Sequence, residues 1–171
     1  YEPDHPDCMV ARDAIDRLLV FDKKTNSGYC QPCLSPVWDT SLTLHAIMEA
    51  GVNDGNPSLD KANEWLLGRQ ILDVEGDWGQ KRHELRPGGW AFQYWNNFYP
   101  DVDDTAVVVM ALHRANPKKY KEAILRAEEW VIGMQCKSGG WGAFDADNEH
   151  YFLQHIPFAD HGALLDPPTA D

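Results

Sequence analysis

Apolar and charged positions along the chain predict helices of two kinds. Residues 40–50 and 105–115 are apolar on nearly every side of a helical projection, which is typical of a buried helix. Residues 59–70 and 120–135 keep charged side chains on one face, which is typical of a helix with one face in solvent. The pattern contains no convincing strand ladder. The expected fold class is therefore all-α, with helical hairpins arranged as an α/α toroid, in which an outer ring of helices surrounds an inner, buried ring.

The sequence repeats itself at a spacing of 65 residues. Each repeat contains one helix of each kind and ends with a glutamine, a glycine-rich turn and a tryptophan. A shift of two residues late in the repeat aligns Trp78 with Trp141. A glutamine at a helix end can bind backbone groups that the helix leaves unpaired, so we expect Gln70 and Gln135 to tie neighbouring hairpins together. The matching residues are Asp39-Thr40 with Asp104-Thr105, Glu64-Trp65 with Glu129-Trp130, and Gln70 with Gln135.

Composition excludes several classes of function. The 171 residues carry a net charge of −12 and no cluster of lysine and arginine, so no nucleic-acid partner is expected. The four cysteines are too few for a disulfide scaffold, and Cys30-x-x-Cys33 lacks a second pair at zinc-site spacing. We therefore expect two reduced cysteines in a loop and no metal site. No apolar stretch is long enough to cross a bilayer. Because the chain opens at Tyr1 without methionine, we interpret it as an internal piece, truncated at both ends.

The candidate chemistry lies in three aspartates within four positions, Asp101-Val102-Asp103-Asp104, between an aromatic run and an apolar helix. Two carboxylates about 5 Å apart repel by roughly 3 kcal/mol at an effective dielectric constant near 20, or about two pKa units. At least one of them is therefore expected to keep its proton. A protonated carboxyl against aromatic walls suits an apolar substrate such as an alkene. The structural alternative is that Asp103 or Asp104 caps a helix beginning at Thr105, as Asp39 would cap its counterpart.

Taken together, these motifs resemble those of squalene–hopene cyclases. Gly88-Gly89-Trp90-Ala91-Phe92-Gln93, followed by Pro100-Asp101-Val102-Asp103-Asp104-Thr105-Ala106, is similar to the segment that carries the acid in that family. The glutamine–glycine–tryptophan repeats resemble the family's QW motifs, and residues 35–40, 139–148 and 155–158 also match. The resemblance covers essentially the whole chain. It implies that residues 1–171 are the central part of an α/α-barrel terpene cyclase and contain its catalytic motif.

The resemblance implies a reaction and roles for individual residues. Asp103 is expected to protonate the terminal alkene of squalene, with Asp101 and Asp104 as companions that support its proton and its geometry. The expected reaction is a carbocation cascade that closes the rings of hopene or hopanol. By the same resemblance, the residues expected to bind the substrate are Trp38, Phe92, Phe144, Phe158 and Asp171.

The resemblance also implies the surroundings of the enzyme. No metal or other cofactor is expected, because a Brønsted acid replaces the diphosphate–magnesium chemistry of other terpene enzymes. The only expected small-molecule partner is squalene. The family is attached to one membrane leaflet, so a peripheral position on the cytoplasmic side of the cell membrane is expected, and a homodimer is compatible with it. The chain by itself is expected to be inactive.

Three other functions stay open at the level of the sequence. Class II diterpene cyclases share the Asp-x-Asp-Asp motif, although their QW repeats are weak or absent. A toroidal glycosidase would use paired carboxylates and aromatic platforms, but it leaves the 65-residue repeat unexplained. A non-catalytic helical scaffold would need an exposed groove rather than a closed cavity. In every case Trp78, Trp90 and Trp141 are expected to be packing residues.

Overall fold

The chain divides into two compact units, Tyr1–Leu34 and Ser35–Asp171. The computed structural model describes residues 5–31, 33–52, 55–158 and 165–168. Within these ranges, no helix is both long enough and apolar enough to span a membrane.

The described residues of the first unit form one helix and a β-hairpin. Its elements are helix α1 (Pro6–Leu18) and the antiparallel strands β1 (Leu19–Asp22) and β2 (Ser27–Cys30). The turn between the strands forms because the Asp22 carboxylate accepts hydrogen bonds from Lys24 N and Thr25 Oγ1, both at 2.8 Å. The prediction of a chain without strands is therefore wrong here, because four-residue strands are too short to show a clear alternation. Cys30 lies in β2 rather than in the predicted loop.

The described residues of the second unit form four helices and two short 3-10 turns. The helices are α2 (Pro36–Glu49), α3 (Pro57–Leu67), α4 (Val102–Ala115) and α5 (Lys121–Gly133), and the 3-10 turns are Asp77–Lys81 and Tyr151–His155. Helices α2 and α3 begin earlier than predicted because each starts at a proline, which has no N–H to leave unpaired. The Asn56 side chain caps α3 by accepting from Ser58 N at 2.9 Å.

Helix α4 is the centre of this unit and packs against the other three helices. It buries Val108, Ala111 and Leu112 completely. Its other side is open, since Met110 is 54% exposed, and Ile47 of α2 also lies at the surface. The prediction that α2 and α4 are buried on every side is therefore wrong for the described part of the chain, whose elements cover only one side of them.

The repeat is visible as matching hydrogen bonds, but with a different tryptophan from the one predicted. Trp90 Nε1 donates to Leu66 O, and Trp141 Nε1 donates to Val131 O, both at 2.7 Å. Leu66 and Val131 are equivalent residues near the ends of α3 and α5. The alignment of Trp78 with Trp141 is therefore wrong, because the first repeat carries a longer loop between its glutamine and its tryptophan.

The glutamine tie is present at Gln70. Its Nε2 donates to Gly88 O at 2.8 Å and to Ala123 O of α5 at 2.9 Å. Gln135 Nε2 donates to Gly139 O at 2.6 Å in the equivalent turn. Gln70 thus connects the end of α3 to the next hairpin, whereas the bond from Gln135 closes its own turn.

The tryptophans pack as expected. Trp78 and Trp90 are both buried, and Trp141 is half-buried. Trp78 lies edge-on to Trp130, with ring centroids 5.8 Å apart. Such aromatic pairs add to the stability that comes from burial alone.

Candidate active site

The acid motif forms the first turn of α4. Asp101 is the N-cap residue, and its Oδ1 accepts a hydrogen bond from Asp104 N at 2.6 Å. The prediction that Asp103 or Asp104 is the cap is therefore wrong, because the helix begins at Val102 rather than at Thr105. The related prediction for α2 is also wrong. Its N-cap is Ser35, whose hydroxyl donates to the Asp39 carboxylate at 2.7 Å.

A buried ring of hydrogen bonds joins the acid motif to the aromatic run. Trp90 N donates to Thr105 Oγ1 at 2.9 Å, and that hydroxyl donates to Asp101 O at 2.6 Å. Asp101 N closes the ring by donating to Trp90 O at 3.0 Å. The ring holds the segment that leads to Phe92 beside the start of α4. Sequence reasoning missed this role of Thr105, although the threonine recurs in the other repeat.

A second loop is fixed to the same helix end. We call residues 142–145 the Phe144 loop. Val102 N, at the first residue of α4, donates to Ala143 O at 2.9 Å. Phe144 is 42% exposed and lines a cavity of about 480 Å³ with Trp78 and Phe98. Asp77, Asp145 and Asp166 also line this cavity, so it differs from the apolar chamber that the resemblance implies.

Burial dominates the electrostatics of the motif. Asp101 and Asp104 are 5% and 2% exposed, whereas Asp103 lies on the exposed side of the turn. The pKa of Asp104 is raised to about 8, first by burial and then by its side-chain hydrogen bond with Asp101 and by the charges of Asp101, Asp103 and Asp39. Burial also raises the pKa of Asp101. The buried pair therefore keeps a proton at neutral pH, mainly through desolvation rather than through the repulsion assumed from the sequence.

The first turn of α2 lies at the same end of the unit. Arg114 and Glu49, near the C-terminal ends of α4 and α2, form an ion pair at 2.6 Å. The charge of Asp39, in the first turn of α2, contributes to the raised pKa of Asp104. Trp38, half-buried in that turn, is therefore on the same end of the helix pair as Asp103.

The structure brings together only some of the predicted substrate-binding residues. Phe92 and Phe144 belong to segments that are hydrogen-bonded to the start of α4, and Trp38 precedes Asp39, whose charge acts on Asp104. Phe158 follows the second 3-10 turn and is 92% exposed. Asp171 lies outside the described residues.

One cluster has the composition of a metal site. Ligand atoms of Cys136, Asp147 and Glu149 lie within 4.8 Å of one another. The Asp147 carboxylate, however, already accepts from Lys137 N at 2.8 Å and from Arg82 at 3.2 Å. Each oxygen of this carboxylate already accepts a hydrogen bond, and Arg82 supplies a positive charge beside it, so the cluster is better explained as a loop tie.

Comparison with known proteins assigns the family. The sequence profile described as "Squalene-hopene cyclase C-terminal domain" matches residues 34–171. The chain is 54% identical to a squalene–hopene cyclase of Zymomonas mobilis, over 100% of this chain and 27% of that protein. It is 52% identical to a squalene–hopene cyclase of Bradyrhizobium diazoefficiens, over 99% of this chain and 26% of that protein. It is 54% identical to one of Schizosaccharomyces japonicus, over 98% of this chain and 26% of that protein. The chain thus spans about a quarter of the length of these relatives. With a profile match over most of its length and relatives that cover it almost completely, the chain belongs to the squalene–hopene cyclase family.

Proposed function

We propose that the protein carrying this chain is a squalene–hopene cyclase, which starts a carbocation cascade by protonating a terminal alkene. The observation that carries the proposal is the buried pair Asp101 and Asp104, which keeps a proton at neutral pH directly behind the exposed Asp103. The names of the relatives support the same reaction, although the chain spans only about a quarter of their length.

Asp103 is the acid in this proposal, because it is the member of the motif whose carboxyl is open to a substrate. Asp101 and Asp104 lie on the buried side, where the bond between them fixes the first turn of α4, and their role as companions of the acid is taken from the resemblance to the family. The alkene takes its proton from Asp103 and becomes a tertiary cation. The cascade ends when the final cation loses a proton, giving hopene, or captures water, giving hopanol, and Asp103 then recovers a proton from water.

The protein must stabilise these cations without offering a nucleophile. The face of an aromatic ring attracts a cation by about 0.5–2 kcal/mol. We assign Phe92 and Phe144 to this role because their segments are hydrogen-bonded to the first turn of α4. Trp38 is assigned to it because the neighbouring Asp39 is near enough for its charge to act on Asp104. Phe158 and Asp171 are assigned to the substrate site by resemblance to the family alone.

The α/α toroid belongs to the same proposal. Leu42, Ile47 and Met110 are exposed on the open side of α2 and α4. Further helices of a toroid would cover these apolar side chains, which are otherwise left in solvent. The central position of residues 1–171, the peripheral place on the cytoplasmic side of the membrane and a homodimer rest on the family alone.

The experiment is Asp103→Asn in the intact protein. We expect squalene conversion to fall by about 10²–10⁴-fold, the range that a general acid supplies, while circular dichroism stays unchanged. Asp39→Asn is the matched control, because Asp39 occupies the first turn of the equivalent helix and is exposed. Its turnover should match that of the wild type.

Product analysis by gas chromatography decides the result. Undiminished hopene or hopanol formation by Asp103→Asn would defeat the acid assignment. Cyclisation of a linear C20 diphosphate by the wild-type protein, without conversion of squalene, would favour the diterpene cyclase alternative.

A further inference from the structure

The carboxylate of Asp166 holds the Phe144 loop. Three consecutive backbone N–H groups, those of Ala143, Phe144 and Asp145, donate to it at 2.8, 2.5 and 2.5 Å. Oδ1 accepts the first of these bonds and Oδ2 accepts the other two. Convergent N–H groups form a concavity that favours an anion, and bonds to a charged acceptor are stronger than bonds between neutral groups. Asp166 therefore fixes this loop more firmly than neutral turn bonds would.

Asp166 is itself fixed in place. Its N–H donates to Asn148 O at 3.2 Å in an isolated antiparallel bridge, and the Asn148 side chain donates to Asp145 Oδ2 at 3.2 Å. The contact is also close: a Cβ added at Gly142 would lie 2.7 Å from both Asp145 O and Asp166 O. The loop and Asp166 thus pack as one unit.

This unit is hydrogen-bonded to the acid motif through a peptide group. Ala143, whose N–H is held by Asp166, accepts a hydrogen bond from Val102 N at 2.9 Å through its carbonyl oxygen. Val102 is the residue between Asp101 and Asp103. Movement of the loop would therefore shift the Phe144 ring and the start of α4 relative to each other.

We propose that Asp166 is a positioning residue for cyclisation, which sets the place of the Phe144 ring relative to Asp103. This inference rests on the proposed function. Each ring closes only while the cation lies beside the next alkene and is stabilised by an aromatic side chain such as Phe144. Displacement of that side chain by about 1 Å can lower the rate by about a hundredfold. It also gives the cation time to lose a proton to water, so that a partly cyclised hydrocarbon leaves the site.

The test is Asp166→Asn in the intact protein. An amide has one accepting oxygen, and its NH₂ group cannot accept, so at least one N–H of the loop loses its partner. We expect kcat for squalene to fall about ten- to a hundredfold, with a much smaller change in KM and with mono- or bicyclic products appearing. Asp166→Glu keeps both accepting oxygens on a longer stem and should give an intermediate rate and product pattern.

Asp147→Asn is the matched control. Asp147 also uses its carboxylate to hold a loop, through Lys137 N and Arg82, but these bonds do not reach the Phe144 loop. The inference is supported if Asp166→Asn and Asp147→Asn lose similar thermal stability but only Asp166→Asn gives partly cyclised products. The same product pattern from Asp166→Asn and Asp147→Asn would overturn it.

Amide hydrogen exchange tests the hold of Asp166 on the Phe144 loop separately from the proposed function. Asp166→Asn should speed exchange at residues 143–145, and unchanged exchange there would overturn the inference. If Asp166→Asn does not fold, Asp166→Glu decides, since faster exchange at residues 143–145 together with a wild-type product pattern would refute the role. A wild-type protein that leaves squalene unchanged would refute the proposed function and the role in cyclisation together, whereas faster exchange in the variant would still show that Asp166 holds the loop.

Discussion

Replacement of Asp104 by asparagine tests the buried carboxyl pair through the pH dependence of stability. Burial, followed by the hydrogen bond with Asp101 and the neighbouring carboxylate charges, raises the pKa of Asp104 from 3.8 to about 8. Between these values the folded carboxyl binds a proton that the unfolded carboxyl has released. Because the folded state binds more protons, the free energy of unfolding falls as pH rises from about 4 to about 8, by about 1.4 kcal/mol per unit. From pH 5 to pH 7 the loss is therefore about 3 kcal/mol. Because Asp104 is only 2% exposed, solvent screens little of this electrostatic effect.

Asparagine has nearly the same shape and does not titrate. We expect Asp104→Asn to remove most of this loss. Relative to the wild type, the free energy of unfolding of the variant should be higher at pH 7 than at pH 5. Urea denaturation of the intact protein, followed by tryptophan fluorescence at pH 5, 6 and 7, measures the slope. Asp39→Asn is the control, because Asp39 is exposed and its charge contributes less than burial to the pKa of Asp104. Equal slopes for Asp104→Asn and the wild type would refute the burial argument.

Two further substitutions test the packing that positions the site, and urea denaturation measures both. Gln70→Leu should lower the free energy of unfolding by about 1–3 kcal/mol, because two partly buried carbonyl groups lose their donor. Gln135→Leu loses one exposed bond and should cost less, so equal losses would contradict the tie between hairpins. Gly76→Ala should cost about 1–3 kcal/mol or more, because its Cβ would lie 1.8 Å from Phe98 O. Gly68→Ala is the control: its Cβ would meet no atom closer than 3.6 Å, so the free energy of unfolding should stay the same or rise by up to about 1 kcal/mol. An unchanged stability of Gly76→Ala would show that Gly76 and Phe98 do not lie this close together.

Sequence patterns predicted the helices well and the contacts between them less well. The helical periodicity placed α2 to α5 within a few residues of their observed bounds. The hairpin of the first unit was missed because its strands are short and exposed. The partner of Trp141 was misassigned to Trp78, since an offset along the chain cannot show that the loop before Trp90 is longer.

The same division holds at the candidate site. The spacing of Asp101, Asp103 and Asp104 was enough to predict that a carboxyl in this motif keeps its proton. The spacing could not tell which of them is buried, since that depends on where α4 begins and on which side other elements cover. Asp166 carried no signal in the sequence, because its partners lie more than 20 residues earlier and meet it only through the folded path of the chain.

The amino-acid sequence by itself determined the alternation of apolar and amphipathic helices, the repeat, and the cluster of three acids beside an aromatic run, because each is a matter of spacing along the chain. Only the tertiary structure decided that Asp101 caps α4, that Asp104 holds the proton while Asp103 faces outward, and that Asp166 holds the Phe144 loop. Burial and hydrogen bonding between distant residues depend on which surfaces meet, and that is set by the packing of the whole unit.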